Sequence, residues 1–178
     1  SINIDGASNW DTSSVTNMYG MFYGTKIANI DALSDWNTSK VTSMYSMFRG
    51  ATSLANIDGA SDWDTSSVTV MQEMFSGTSS LTNIDGASSW DTSNVATMSG
   101  MFWGTKIANI DALSGWDTSS VTTMLNMFRD ASSLTNIDGA SNWDTSKVTN
   151  VQSMFGNASS LTNIDGASNW DTSSVTNM

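Results

Sequence analysis

One phrase recurs along the whole chain at a nearly fixed interval. Trp10, Trp36, Trp63, Trp90, Trp116, Trp143 and Trp170 stand 26 or 27 residues apart, and each opens Trp-Asp-Thr-Ser or, at Trp36, Trp-Asn-Thr-Ser. The full unit reads I-D-[GA]-x-S-x-W-[DN]-T-S-x-V-[TA]-x-[MV]-x-x-M-F. A period of this length cannot bury its apolar residues within one copy. It does so by stacking copies, which makes the chain a solenoid. Ser and Thr fill 54 of the 178 positions, a composition that by itself would suit a disordered or glycosylated tract. Trp, Met and Phe held in register argue for order instead.

A longer period overlies the short one. Gly20–Ser34 returns as Gly100–Ser114 with Tyr23 replaced by Trp103, a superperiod of 80 residues. Two coils have a link one residue shorter: compare Phe22-Tyr-Gly-Thr-Lys-Ile27 with Phe48-Arg-Gly-Ala-Thr-Ser-Leu54. The pattern also begins and stops mid-phrase, and no polar capping repeat is visible. Residues 1–178 therefore read as a single solenoid of about six and a half tandem repeats, an uncapped piece of a longer array with less stable end coils.

Within a coil, Val15, Met18, Met21 and Phe22 fall at helical spacing. Thr12 or Ser13 is placed to cap the first turn, and Gly24, Gly50, Gly77 and Gly104 to end it. The stretch Leu54-Ala-Asn-Ile57-Asp-Gly59 has no helical period and reads as a short strand stacked in parallel on its neighbours. The expected fold is an α/β repeat, with one short parallel strand and one short helix per 26–27-residue coil. Its stack would run roughly 30 Å.

Here the residues carry a resemblance. Met74-Phe75-Ser-Gly-Thr-Ser-Ser-Leu81-Thr-Asn-Ile84-Asp resembles the leucine-rich repeats of BspA-like bacterial surface proteins. The Trp-centred unit as a whole is similar to the bacterial surface-protein repeat of lactobacilli, Listeria and mycoplasmas. That resemblance implies a leucine-rich-repeat-like solenoid on a protein secreted to the bacterial cell surface or cell wall, with adhesion as the presumed role. It implies no catalytic residue and names no ligand.

The composition narrows function further. Six Lys and Arg against seventeen Asp and Glu give a net charge of −11, which opposes binding to nucleic acid or anionic membranes. The absence of His and Cys removes the usual bases, thiol nucleophiles and transition-metal ligands. The expected protein is not an enzyme, has no cofactor and inserts into no membrane. Two aspartate columns leave calcium as the one cofactor to weigh. The first holds Asp5, Asp31, Asp58, Asp85, Asp111, Asp138 and Asp165. The second holds Asp11, Asp64, Asp91, Asp117, Asp144 and Asp171, with Asn37 in the remaining copy. Asn keeps the hydrogen-bonding shape and drops the charge, so the second column suits Asx-turns better than a metal.

Variable columns are where ligand choice sits. The position after the first Met of each coil (Val151 in the last) reads Tyr19, Tyr45, Gln72, Ser99, Leu125, Gln152; the position after Phe reads Tyr23, Arg49, Ser76, Trp103, Arg129, Gly156. Tyr, Trp and Arg are the types enriched in binding hot spots. Tyr19, Tyr23, Tyr45, Arg49, Trp103, Leu125 and Arg129 are the candidate ligand-binding residues. The expected partner is a host or matrix protein or a glycan. The rival reading is a structural stalk or a repeat that stacks head to tail into a filament.

Overall fold

Each coil turns its first corner at the Ile-Asp pair. A computed structural model describes residues 2–178. In it, Asn two residues before each column-one Asp accepts that Asp's backbone N–H at 2.8–3.2 Å, as at Asn29–Asp31 and Asn56–Asp58. The chain then tightens into a single 3₁₀ turn. These turns are Asp5–Asn9, Asp31–Leu33, Asp58–Ala60, Asp85–Ala87, Asp111–Leu113, Asp138–Ala140 and Asp165–Ala167. Repeated at this spacing, they mark a solenoid-like array with little helix and little strand.

The Trp follows the turn and ties two coils together. Its indole Nε1–H donates to a backbone carbonyl of the preceding coil at 2.8–3.1 Å, from Trp36 to Ala7 through Trp170 to Ala140. The Thr two residues on reaches the other way. Buried Thr38, Thr65, Thr92, Thr118 and Thr145 donate Oγ1–H to the Asp carbonyl of the following coil at 2.8–3.0 Å. Conserved spacing in these two columns thus serves polar satisfaction as well as burial.

The expected helix does not form. In the second coil, the N–H groups of Met44, Ser46, Phe48 and Gly50 donate to Val70, Gln72, Met74 and Ser76 of the next coil at 2.8–3.0 Å. Those of Met47, Arg49 and Ala51 close local turns onto Met44, Ser46 and Phe48 at 3.0–3.2 Å. The segment is a ribbon of overlapping turns whose alternate N–H groups ladder the coils. Its physical cause is two left-handed residues per coil. Ser46 (φ 53) and Gly50 (φ 70) hold these places, matched by Gly20 and Gly24, Glu73 and Gly77, Gly100 and Gly104, Asn126 and Asp130, and Ser153 and Asn157. A right-handed helix cannot continue through φ > 0. Turns of this ribbon still place Val41, Met44, Met47, Phe48 and Ala51 inward, so its burial pattern imitates a helical face.

The cap assignments change with it. Thr12 Oγ1 accepts the N–H of Asn37 in the next coil, and Ser13 bonds Asp11, so neither caps a helix. The glycines expected to end the helix do sit at positive φ, but as ribbon turns. The expected strand is also reduced. At 54–59 the pairing is a single parallel bridge, Asn56↔Asn83, before the 3₁₀ turn begins. The other bridges run through one column, Asn17, Ser43, Val70, Thr97, Thr123, Asn150 and Asn177.

Ile/Leu, Trp, Val, Met and Phe columns fill the interior between these edges. Trp36, Trp63, Trp90, Trp116 and Trp143 are buried, whereas Trp10, in the first coil, is 56% exposed. Successive rings lie 5.6–6.0 Å apart in the Phe column and 6.0–6.5 Å apart in the Trp column. Tyr19 and Tyr45, on the outside of the ribbon, are 5.0 Å apart.

Candidate functional site

The ribbon aims two columns outward, and both are the variable ones. Residues after the first Met form one row. Tyr19 and Tyr45 stack there at 18° between planes. Ser99 is buried further along, and Leu125 stands half-buried beyond it, away from any aromatic of its row.

Residues after Phe form the second row, and here a groove opens. Its walls carry Tyr23, Arg49, Ser76, Trp103 and Asp130, its volume is about 350 Å³, and the ribbon glycines Gly50, Gly77 and Gly104 make its floor. The volume lies at the low end of the roughly 300–1,000 Å³ of small-ligand pockets. Arg49 lies over the Tyr23 ring at 5.9 Å, and Arg129 over Trp103 at 5.0 Å. Tyr23, Arg49 and Trp103 thus share one groove. Arg129 braces it from behind Trp103, and Tyr19, Tyr45 and Leu125 lie in the neighbouring row.

Two side chains of the groove, Ser76 and Asp130, and one behind it, Glu73, were not among the candidates. Glu73 pairs with Arg49. Asp130 accepts Trp103 Nε1–H at 2.8 Å and Asn157 Nδ2–H at 2.8 Å, and lies 3.8 Å from Arg129. The amide and indole donors hold the Asp130 carboxyl below the ordinary aspartate value. Ser76 is the small side chain between Arg49 and Trp103. Sequence signals for two of them existed: Glu73 is the only Glu, and Asp130 interrupts a column of glycines. Both cations of the row are paired, so the face is aromatic and nearly neutral rather than cationic.

The aspartate columns have a different chemistry. In the second, each carboxylate accepts the N–H of the Ser two residues on, at 2.9–3.0 Å, and in most coils the Ser hydroxyl as well. Asn37 makes the same pair of bonds to Ser39. These are Asx-turns. The Ser hydroxyl, then the Ser N–H, lowers the pKa of Asp11, Asp64, Asp117, Asp144 and Asp171. In the first column the carboxylates are exposed. No group of three or more potential metal-ligating side chains converges among the described residues.

A depressed folded-state pKa contributes stability that is complete above the unfolded value near 3.9 and is lost as pH falls through the folded value. Acid should therefore loosen these turns. Asn accepts the same two bonds at any pH, so Asp64→Asn with Asp117→Asn is expected to lose less melting temperature than the parent between neutral pH and about pH 2. Equal losses in a thermal melt series would show that these turns carry no pH dependence.

Among the described residues no helix is long and apolar enough to cross a membrane. No curated protein matches the chain. One family, described as "Mycoplasma protein of unknown function, DUF285", matches twice, over residues 1–86 and 80–178. The two matches begin nearly one superperiod apart and together span every coil, and the chain belongs to this repeat family.

Proposed function

We propose that this chain is a non-catalytic repeat segment of a bacterial surface protein, presenting its ribbon face for adhesion to a host or matrix protein or glycan. The observation that carries this reading is the contrast between columns. The inward columns are nearly invariant across seven coils. The two outward rows of the ribbon vary, and the second collects Tyr23, Arg49 and Trp103 into one groove. A scaffold that fixes its core and varies one face is built to present that face. BspA-like and mycoplasma-type surface repeats fit this role. A secreted, cell-wall location and the absence of any cofactor belong to the same proposal.

The test is binding of the chain to immobilised glycans and matrix proteins, beside a variant with Tyr19, Tyr23, Tyr45, Arg49, Trp103 and Arg129 changed to Ser. Saturable binding by the parent and none by the folded variant supports adhesion. Equal behaviour of the two, with no binding, favours the stalk or filament reading. Calcium has no part in this scheme, because column-two carboxylates already bond their own Ser. A chelator is expected to leave the melting temperature unchanged, and recovery of a lost fold on adding calcium would overturn that.

A further inference from the structure

The second row contains a gap at Ser76, between larger neighbours. Arg129, one coil beyond Trp103, covers one face of the indole at 5.0 Å. The opposite face therefore looks back toward the preceding coil, whose residue in this column is only Ser76. Arg49 stands on the other side of that gap, over the Tyr23 ring at 5.9 Å and paired with Glu73 of the Ser76 coil, and lines the same groove. A guanidinium and an indole thus line the groove on either side of the coil of Ser76. Two coil steps separate them, about 9.5 Å at the usual spacing of hydrogen-bonded strands.

Ring dimensions say what fits. A flat ring in contact with both walls needs about 7–8 Å from wall to wall. A puckered saturated ring, with hydrogens on both faces, is thicker and takes up the remaining width. The rim points the same way. The Ser76 hydroxyl has no protein partner among the described residues, and the carboxylate of Asp130 adds an acceptor to the same lining. A phenyl ring brings no donors to these groups, whereas a sugar brings several hydroxyls. Charge selects among sugars. Arg49 with Glu73, and Arg129 with Asp130, cancel, and the chain as a whole is at −11, which repels an acidic one. Glu73 also holds its place at φ 55, a conformation costly for an ordinary side chain. That conformation belongs to the ribbon of every coil, and in this coil it carries the carboxylate that pairs with Arg49.

We infer that the slot between Arg49 and Trp103 is a subsite for one neutral pyranose ring of a glycan chain. The indole packs on the C–H face of the ring, the guanidinium covers the other face, and Ser76 and Asp130 take its hydroxyls. This inference rests on the adhesive reading and narrows it to a ligand class.

The test uses the full chain, titrated with neutral oligosaccharides (cellotetraose, maltotetraose, a poly-N-acetyllactosamine tetrasaccharide) and with a hyaluronan tetrasaccharide. The readout is the Trp103 indole N–H resonance. Ser76→Arg is the decisive variant. It plugs the slot with a residue that the column already takes at Arg49 and Arg129, so the coil keeps its fold. Expected is a saturable shift with at least one neutral oligosaccharide, weakened about tenfold or more in S76R, and weaker binding of the acidic one. Oligosaccharide binding that survives S76R overturns the slot and leaves adhesion standing. Binding of a matrix protein that S76R abolishes, with no oligosaccharide bound, reassigns the slot to protein and overturns the sugar. No binding of either class by the folded parent overturns the slot and the adhesive reading together.

Discussion

Trp90→Ala is expected to cost about 3–5 kcal/mol and to divide the melt of the solenoid into two transitions. Trp90 is 3% exposed and lies between Trp63 and Trp116, with ring centroids at 6.5 and 6.4 Å. Phe75 of the preceding coil packs on it at 6.3 Å, and its Nε1–H donates to the Ala60 carbonyl at 3.0 Å. Truncation opens a cavity between coils that hydrogen bonds on the opposite side prevent from closing. Stability of a solenoid is close to a sum over neighbouring interfaces, so weakening the middle uncouples the halves. Trp10→Ala supplies the control. That side chain is 56% exposed, so its loss should stay within about 1 kcal/mol. Trp90→Phe falls between the two. It keeps most of the volume and loses the indole bond, while the Ala60 carbonyl retains the Trp63 N–H at 3.1 Å. Urea melts of the three variants check the order. Equal costs for Trp10→Ala and Trp90→Ala would remove the Trp column from the core.

The columns were legible in the sequence because a repeat compares itself. Trp, Val, Met and Phe at fixed intervals read best as core, and Asn37 among aspartates favoured an Asx-turn over a metal. The backbone was not legible to the same degree. Met18, Met21 and Phe22 sit at helical spacing, yet Gly20 lies among them at φ 58. The signal was the column of Gly20, Ser46, Glu73, Gly100, Asn126 and Ser153: Gly and Asn tolerate left-handed φ, but Ser and Glu conceal it. A local pattern cannot tell a helix, which satisfies every N–H within itself, from a ribbon that sends alternate N–H groups to the next coil. That difference lies in the stack.

The groove was half legible for a related reason. Tyr23, Arg49 and Trp103 were visible as variable residues of hot-spot type. What makes them a groove is the small Ser76 between large neighbours. Its meaning depends on which coil precedes and which follows. The neutral character of the face was hidden too. Arg49 and Arg129 read as cations in sequence, and their partners Glu73 and Asp130 come from other columns.

The largest backbone effect is expected at the corner where coils touch most closely. A Cβ on Gly86 would stand 2.1 Å from the Ile57 carbonyl oxygen of the preceding coil, and Gly59, Gly139 and Gly166 meet the same contact at 2.0–2.2 Å. Backbone cannot yield as a flexible side chain does. Gly86→Ala should therefore cost about 1–3 kcal/mol or more, although the residue gained is only a methyl. Yet the same column holds Ala32 and Ala112 in two coils. Those coils are the ones entered by the shorter link, through Lys26 and Lys106, and both carry Leu33 or Leu113, fully buried, where the others carry Ala. Link length, the Gly/Ala choice and the Ala/Leu choice change together, which makes them one packing solution. Deleting Ser80 while introducing Gly86→Ala and Ala87→Leu should then restore much of the stability that Gly86→Ala alone removes. Sites coupled in this way are non-additive by about 0.5–3 kcal/mol. Urea denaturation of the single, the deletion and the combined variants measures that coupling. Additive costs would mean that the two coil types are independent accidents of sequence. A combined variant more stable than Gly86→Ala alone would show that the short link and the larger corner side chain are a matched pair.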